Sequence, residues 1–406
     1  MTTITIHESI VQEIVSIRLR RMSTDAQHST AFWRTHDDTQ FAKSNGAEVV
    51  DNTTADEKIY TLIAKISASD KSDLWSAVEG SFEDEELQRT TSTLALKIFK
   101  KLPTETAQQA HTRAQEEYLL TSFIDDFGKK NRRDAPCGRD FLCAQSFFAT
   151  PDFGDVAVFA FPNALGLQEF LKNKFYNLFD ANQEEYKLEA LNIAILLFEA
   201  VFRMNGSGVF HGDIHPDNII VSWEKGSGKV PHVVQLRLIN VEGSHSCVAA
   251  SDLQKQLMEE KGLQRFSCTK AVPSVRAIFY SPTARFRDPL AGDPTKKDQG
   301  LPLTTEPAEL RVAFAYSEMF ACALVAQLLF DREQNKPGVV PKLQHTARSV
   351  EVVLPPTDVA KGKKGADHVL QILKQMTGPL RARENLAILA ANLEEIAKAI
   401  LRGTIK

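Results

Sequence analysis

The segment 209–221 carries the side chains best suited to chemistry. It reads V-F-H-G-D-I-H-P-D-N-I-I-V, so an apolar run leads into an H-x-D-x-x-x-x-N pattern and a second apolar run leads out. A carboxylate and an amide at this spacing, on a loop between two strands, suit phosphoryl transfer. Asp213 would accept the proton of an attacking hydroxyl, and the amide oxygen of Asn218 would hold a divalent metal ion. The alternative is a structural loop in which Asp213 caps a turn and His211 is a core histidine.

The elements that must position this loop fall into two groups. Apolar alternation predicts strands over 59–66, 74–78 and 93–99, which polar turns join into an antiparallel meander. A helix over 104–127 and strands at 147–148 and 156–161 follow. From residue 167 onward the helical period dominates, over 167–171, 186–204, 310–330 and 367–401. A small β-rich part followed by a larger helical part predicts an α+β fold of two lobes, with a ligand site in the cleft between them.

The composition excludes several classes of protein. Of the 406 residues, 43% are hydrophobic and 25% are charged, as in a globular protein. The 48 Lys and Arg nearly balance the 52 Asp and Glu, so the chain has no basic field for nucleic acid. Its five cysteines form no C-x-x-C pair, and the sequence shows neither a signal peptide nor a membrane span. We expect a cytoplasmic protein, in the host cytoplasm if the chain came from a virus or an intracellular pathogen.

Beyond the loop itself, the chain resembles the protein-kinase-like superfamily. Leu94-Ala95-Leu96-Lys97 is similar to the strand that ends in the family's phosphate-binding lysine. Glu116 is similar to the glutamate of helix C that pairs with this lysine, and the neighbouring Glu117 is the alternative. The resemblance covers about residues 58–330.

This resemblance implies a bilobal kinase-like fold. Residues 58–162 would form the N-lobe, a small antiparallel β-sheet with helix C, and residues 163–406 a larger, mainly helical C-lobe. The C-lobe would contain a long activation segment over about 240–290, and residues 1–57 would be a helical or irregular extension.

The resemblance also implies ATP with Mg²⁺ or Mn²⁺ as cofactors. Asp213 would be the catalytic base, Lys97 would hold the phosphates, Glu116 would orient Lys97, and His215 would lie near the transferred phosphate. The metal positions are Asn218, Asn240 and Glu242. The positions that would contact the nucleotide are Ser67, Ser69, Ser72, Leu74, Ala95, Lys97, Phe159, Ala160 and Phe161.

Four departures from the family pattern bear on activity. Serines stand where the family has the glycines of its phosphate loop, and serine resists positive φ. Asn240 replaces the metal-binding aspartate, and an amide carries no charge. The loop reads H-G-D-x-H-P rather than H-R-D-x-K-P, with His215 in place of the lysine. The aspartate of the buried helix that follows the activation segment is absent from the sequence around Ser317.

Three functions remain open. The retained Lys97, Glu116, Asp213 and Asn218 favour a divergent protein Ser/Thr kinase. The serines and Asn240 favour a pseudokinase that acts as a scaffold or regulator. The spelling around His215 is similar to the aminoglycoside and choline phosphotransferases, which favours a small-molecule kinase. A protein substrate or regulatory partner is expected, because Tyr280-Ser281-Pro282 resembles the end of an activation segment. The sequence does not indicate the oligomeric state.

Overall fold

The computed structural model describes residues 48–51, 58–80, 94–131, 143–161, 164–225, 231–241, 244–246, 259–260, 307–331, 342–345, 350–354, 357–378 and 385–406. The chain divides into two compact units, Met1–Ala47 and Glu48–Lys406. Most of the predicted activation segment lies outside the described residues, and so do Glu242 and residues 280–282.

A six-stranded antiparallel sheet forms the first part of the second unit. In spatial order its strands are β1 (Glu48–Asp51), β2 (Lys58–Ala68), β3 (Ser72–Glu79), β4 (Leu94–Phe99), β6 (Gly154–Ala160) and β5 (Cys143–Thr150). The predicted meander corresponds to β2, β3 and β4. All six side chains of β4 are buried, as befits a strand in the middle of the sheet. The edge strand β1 pairs with β2. It falls within the predicted extension 1–57 and was not predicted as a strand, because four residues carry too little periodicity to be recognised.

One long helix, α1 (Ala107–Asn131), packs against this sheet. Its first turn is closed by a reciprocal cap. The backbone N–H of Gln109 donates to Thr106 Oγ1 at 3.2 Å, and that of Thr106 donates to Gln109 Oε1 at 2.8 Å. Ala110, Ala114 and Glu117 are buried at spacings of four and three, which is the period of one helix face. The sheet and this face of α1 share one apolar cluster.

The second part is mainly helical and has its own core. Its helices are α2 (Leu167–Phe170), which continues through a π-helical turn (Leu171–Phe175) into α3 (Tyr176–Ala181), then α4 (Gln183–Gly206), α5 (Pro307–Phe330), α6 (His368–Thr377) and α7 (Leu386–Leu401). The single helix predicted over 367–401 is therefore two helices. Gly378-Pro379 follows α6, where proline cannot continue a helix, and Asn385 caps α7 through a bond from Ala387 N.

Short strands frame the H-x-D loop. Strand β7 (Ala164–Gly166) pairs with β9 (Ile219–Lys225), which also pairs with β10 (Pro231–Leu238). Strand β8 (Val209–Phe210) enters the loop and pairs with β11 (His245–Ser246). The turn Pro216–Asn218 leads out of the loop into β9. Strands β12 (Lys342–His345) and β13 (Val350–Val353) form a separate hairpin.

A buried carboxylate fixes the β9–β10 hairpin to the helical core. Glu189 of α4 accepts from the backbone N–H of Val233 at 2.7 Å and lies 2.8 Å from Nδ1 of His232. Asn192, one turn along α4, donates to the carbonyl of Val233 at 2.9 Å. The hairpin, and with it the end of the H-x-D loop, is therefore held by α4, a core helix of 24 residues.

Candidate active site

Lys97 lies near the end of β4 and forms a buried ion pair. Its Nζ donates to Glu117 Oε1 at 2.5 Å and to Asn240 Oδ1 at 2.7 Å. Both Lys97 and Glu117 are 4% exposed. A buried charge of this kind is stable only when it is paired, and the pair fixes the amine at the entrance to the H-x-D loop.

The residue that pairs with Lys97 is Glu117, so the prediction of Glu116 is wrong. Neighbouring residues of a helix point about 100° apart, and only one of two adjacent glutamates can face the sheet. Glu117 continues the buried spacing of Ala110 and Ala114, whereas Glu116 lies at the half-buried edge of that face. The period of α1 was the signal in the sequence that would have identified Glu117.

A chain of side-chain hydrogen bonds runs from this pair to the H-x-D loop. Asn240 Nδ2 donates to Asn218 Oδ1 at 2.7 Å, and Asn218 Nδ2 donates to Asp213 Oδ2 at 3.2 Å. Asn218 Nδ2 also lies 2.9 Å from the carbonyl of Asp213, which holds the loop in shape. The structure therefore brings together Lys97, Asp213, Asn218 and Asn240, four residues that the sequence assigns to the site.

Asn240 occupies a backbone conformation that suits its residue type. Its φ is 64°, in the left-handed region, which asparagine tolerates better than most residues. Asn240 lies two residues after the end of β10, and this conformation turns its side chain towards both Lys97 and Asn218.

His211 is a structural histidine of the loop. Burial lowers its pKa to about 4, so the ring is neutral at physiological pH. Its Nε2 lies 2.8 Å from the carbonyl of Ile239, and its Nδ1 accepts from the backbone N–H of Asp213 at 3.2 Å. A neutral ring protonated on Nε2 satisfies both contacts. His211 thus fixes the backbone of Asp213, whose side chain stays 37% exposed.

A second buried group, on α5, also holds the H-x-D loop, and no motif in the sequence pointed to it. Glu318 of α5 is 3% exposed, and its Oε1 accepts from the backbone N–H of Gly212 at 3.0 Å. Burial raises the pKa of this carboxyl to about 8. Gly212 has φ 75°, which places its N–H towards α5. The contact joins residues far apart in the chain, so no local pattern announces it.

The serine-rich turn between β2 and β3 uses its own N–H groups. Ser69 Oγ accepts from the backbone N–H groups of Lys71 and Ser72, at 3.2 and 3.1 Å. The backbone N–H of Ser69 itself donates to the carbonyl of Ser72 at 2.9 Å. A phosphate loop binds anions through free backbone N–H groups, and three of those at this turn already have acceptors. Asp73, at the start of β3, is paired with Lys65 and Lys100.

The other predicted nucleotide-binding side chains are packed together. Leu74, Ala95, Phe159 and Phe161 belong to one cluster and are at most 4% exposed. The carbonyl of Ala160, at the end of β6, accepts from Arg237 Nη1 at 3.3 Å. Arg237 was not among the predicted site residues. Ser67 lies opposite Leu74 in the β2–β3 pair.

Comparison with known proteins depends on the fold rather than on the sequence. No protein-family model and no curated protein matches the chain. Among solved structures, a rhoptry kinase from Toxoplasma gondii is similar over 91% of this chain and 89% of its own, with a TM-score of 0.50 and 10% identity. The chain has a protein-kinase-like fold. The predicted α+β bilobal architecture is confirmed by this likeness and by the sheet and helices described above.

Two further kinase structures are similar at lower TM-scores. The kinase domain of a rhoptry antigen specific to Toxoplasma gondii shares 10% identity over 96% of this chain and 92% of its own, with a TM-score of 0.49. The BubR1 kinase domain shares 14% identity over 99% of each chain, with a TM-score of 0.49. Within the part of the chain that the structure describes, no helix is long and apolar enough to cross a membrane.

Glu318 is the acidic residue of α5 that bonds to the H-x-D loop. The sequence of α5 contains no aspartate, and a glutamate side chain is one methylene longer than that of aspartate. The loop meets Glu318 with a glycine, the least bulky residue, at position 212.

We expect Gly212→Ala to destabilise the protein by about 1 kcal/mol, because a residue with a Cβ is strained in the left-handed region. This expectation rests on the φ of Gly212, which is 75°. The free energy of unfolding in urea measures the loss. Gly206→Ala is the matched control, since a Cβ there meets nothing within 4 Å and the residue ends a helix. Equal stability of both variants would show that the φ of Gly212 is not a constraint.

His215 lies between two carboxylates of the same loop. Its Nε2 is 3.5 Å from Asp213 Oδ2, and its Nδ1 is 3.7 Å from Asp217 Oδ2. Burial alone would lower the pKa of His215, but the two carboxylates outweigh it and raise the pKa to about 9. The ring is therefore a cation at physiological pH, next to Asp213.

This raised pKa makes the stability depend on pH. A group whose pKa is higher in the folded state stabilises the protein fully below its ordinary pKa of 6.5 and loses that contribution as the pH rises through about 9. We expect His215→Gln to lower the free energy of unfolding by about 2 kcal/mol below pH 6.5, and by much less above pH 9. Urea unfolding of both proteins across this range measures the difference. A difference that stays constant with pH would contradict the assignment.

Proposed function

We propose that this protein is a divergent ATP-dependent phosphotransferase. The observation that carries the proposal is the unbroken chain of side-chain hydrogen bonds from Glu117 through Lys97, Asn240 and Asn218 to Asp213. It supports the proposal because it joins a buried amine, which suits phosphate groups, to a partly exposed carboxylate, which suits a hydroxyl proton. Such positioning is what phosphoryl transfer requires of a protein, since the reaction itself needs little covalent chemistry from it.

The roles follow from the charges of the groups. Asp213 takes the proton of the acceptor hydroxyl while the hydroxyl oxygen bonds to the γ-phosphorus and the bond to the bridging oxygen breaks, which releases ADP. Lys97, oriented by Glu117, offsets the negative charge of the phosphates. His215, held as a cation by Asp213 and Asp217, adds positive charge beside the transferred group. Its position matches the lysine that the family pattern has there.

The residues around Asp213 fit a hard divalent cation in donor type. Asp213 has a carboxylate, and Asn218 and Asn240 have amide oxygens, which is the donor type that Mg²⁺ prefers. Both amide oxygens accept hydrogen bonds in this structure, from Asn240 and Lys97, so metal binding would have to replace these bonds. Among the described residues there is no group of three or more His, Cys, Asp or Glu side chains that would hold a metal ion instead. Asn218 and Asn240 would hold the ion, which would neutralise phosphate charge. Because amides are neutral, we expect weak binding of the metal; Mn²⁺ is the alternative ion.

The acceptor that we propose is a Ser or Thr hydroxyl of a protein. The support is the sequence at Tyr280-Ser281-Pro282, which resembles the platform that positions a peptide in protein kinases. A small-molecule acceptor is the alternative, since the spelling of the loop around His215 is shared with small-molecule phosphotransferases. Parallel assays with generic protein acceptors and with aminoglycosides and choline distinguish the two.

A second candidate is a pseudokinase that acts by binding a partner. Two observations favour it. The N–H groups of the serine turn are engaged by Ser69, and Asn240 brings no charge to the metal position. Both features lower the affinity that we expect for a nucleoside triphosphate.

Transfer of label from γ-labelled ATP, with Mg²⁺ or Mn²⁺, separates the two candidates. Label on the protein or on an acceptor supports a phosphotransferase. If no acceptor is labelled, thermal unfolding with and without nucleotide shows whether ATP binds at all. Absence of both label and nucleotide binding would leave the pseudokinase as the function of this fold.

A further inference from the structure

Arg237 is the largest fully buried side chain among the described residues. It lies on β10, three residues before Asn240, and none of its surface is exposed. Its Nη2 donates to Gln235 Oε1 at 2.7 Å and its Nη1 donates to the carbonyl of Ala160 at 3.3 Å. The guanidinium carbon lies 4.1 Å from the centre of the Phe161 ring.

A buried guanidinium with these neighbours is poorly compensated. No carboxylate lies within ion-pair distance of it in the described part of the chain, and Asp125 acts on its charge only from further away. Burial lowers the pKa of Arg237 to about 9. A carbonyl, a side-chain amide and a ring face replace the carboxylate that a buried arginine normally has, so this placement is costly for the fold and calls for a reason.

The position of Arg237 on the β9–β10 hairpin gives the reason for its burial. Arg237 and Ile220 are partners across the β9–β10 pair, so their side chains share one face of the hairpin. Ile220 belongs to the cluster that contains Ala95, Phe159 and Phe161, which are the residues assigned by resemblance to the base of the nucleotide. The guanidinium therefore extends from the β9–β10 hairpin to the end of β6.

At the end of β6, Arg237 bonds to a backbone group that the adenine base would use. The backbone of Ala160 and Phe161 is the position at which the resemblance places hydrogen bonds to adenine. The carbonyl of Ala160 already accepts a bond from Arg237, and the Phe161 ring is covered by the guanidinium. Ile66, Leu74, Ala95 and Ile220 belong to the same apolar cluster as Phe161 and are at most 9% exposed, so side chains pack closely in this cluster.

We propose that Arg237 is an internal plug of the base-binding end of the cleft: its guanidinium stands in for the amino group of adenine at Ala160, and a nucleotide binds with its base in the cleft only when Arg237 moves away. The plug restricts nucleotide affinity separately from the chemistry at Asp213. The inference takes from the proposed function only the identity of the ligand, ATP.

The test is nucleotide affinity in variants of the full chain. Titration of a fluorescent ATP analogue, with displacement by ATP, should show Arg237→Ala binding at least about tenfold more tightly than the wild type, because the closed state no longer competes. Arg237→Lys keeps a buried cation and donor and should stay close to the wild type. Arg203→Ala is the control, since it removes an arginine of α4 that pairs with Glu199.

One outcome overturns the plug: a folded Arg237→Ala protein that binds ATP no more tightly than the wild type. Should Arg237→Ala fail to fold, Arg237→Met replaces the charge with similar volume and frees the carbonyl of Ala160. A gain in affinity with Met supports the plug, and a folded Met variant without it contradicts the plug.

The failure of this inference is distinct from the failure of the proposed function. The affinity gain of Arg237→Ala should persist in an Asp213→Asn background, where transfer of label is lost. Gain of binding without any transfer in the single variant would retain the plug and reject the phosphotransferase. Phosphoryl transfer by the wild type, with no gain of ATP affinity in Arg237→Ala, would retain the phosphotransferase and reject the plug.

Discussion

Asp213→Asn is expected to lower the rate of phosphoryl transfer by about 10²–10⁴, the usual contribution of a positioned general base. The substitution keeps the size of the side chain, and its oxygen can still accept the bond from Asn218. The ability to take a proton is lost, and with it one of the two carboxylates that hold His215 as a cation. Initial rates of label transfer from γ-labelled ATP, at saturating nucleotide and acceptor, measure the effect.

Asp217→Asn provides the matched control for this variant. Asp217 belongs to the same loop, and 72% of its side chain is exposed. The change of charge is identical, but this carboxylate faces solvent and lies outside the chain of bonds to Lys97. Asp217 acts on transfer only through the charge of His215, which Asp213 also holds, so transfer should fall far less than in Asp213→Asn. A rate that is unchanged in Asp213→Asn, or lowered equally in both variants, would remove Asp213 from the mechanism.

The second large effect is expected at the buried ion pair. Glu117→Ala should destabilise the protein by about 3 kcal/mol, since it leaves the buried charge of Lys97 without its carboxylate. The amine would keep only the neutral acceptor Asn240. Urea unfolding measures this loss of stability. Transfer should fall as well, because Lys97 is no longer held towards the phosphates.

Glu116→Ala is the control that the sequence itself offers. It makes the same chemical change one residue away, at the half-buried edge of α1. We expect a smaller loss of stability, and a rate near that of the wild type. If Glu116→Ala were the more damaging of the two, the pairing of Lys97 with Glu117 would be wrong.

Local patterns in the sequence accounted for the parts of the site that lie close together in the chain. Asp213 and Asn218 are joined by hydrogen bonds within one loop, and an H-x-D-x-x-x-x-N spacing is sufficient to identify them. The strands were recognisable for the same reason, because alternation with a period of two is a property of a few consecutive residues. Lys97 followed from its place at the end of such a strand.

The parts that were missed depend on contacts between distant residues. Glu318 and Gly212 are 106 residues apart, and Arg237 and Ala160 are 77 apart. No local period links such pairs, so a buried carboxylate in α5 and a buried arginine in β10 look like ordinary charged residues in the sequence. The choice between Glu116 and Glu117 is intermediate, since it required the helix face to be assigned first.

The hydrogen-bond chain between Glu117 and Asp213 has a thermodynamic consequence for regulation. One end belongs to α1, which packs on the N-lobe sheet, and the other belongs to a loop of the C-lobe. Displacement of α1 would take Glu117 from Lys97 and leave the amine to redistribute its bonds towards Asn240. Linkage is reciprocal: any ligand at Asp213 that prefers the intact chain stabilises the present position of α1, and any partner that shifts α1 changes the affinity at Asp213 by the same free energy.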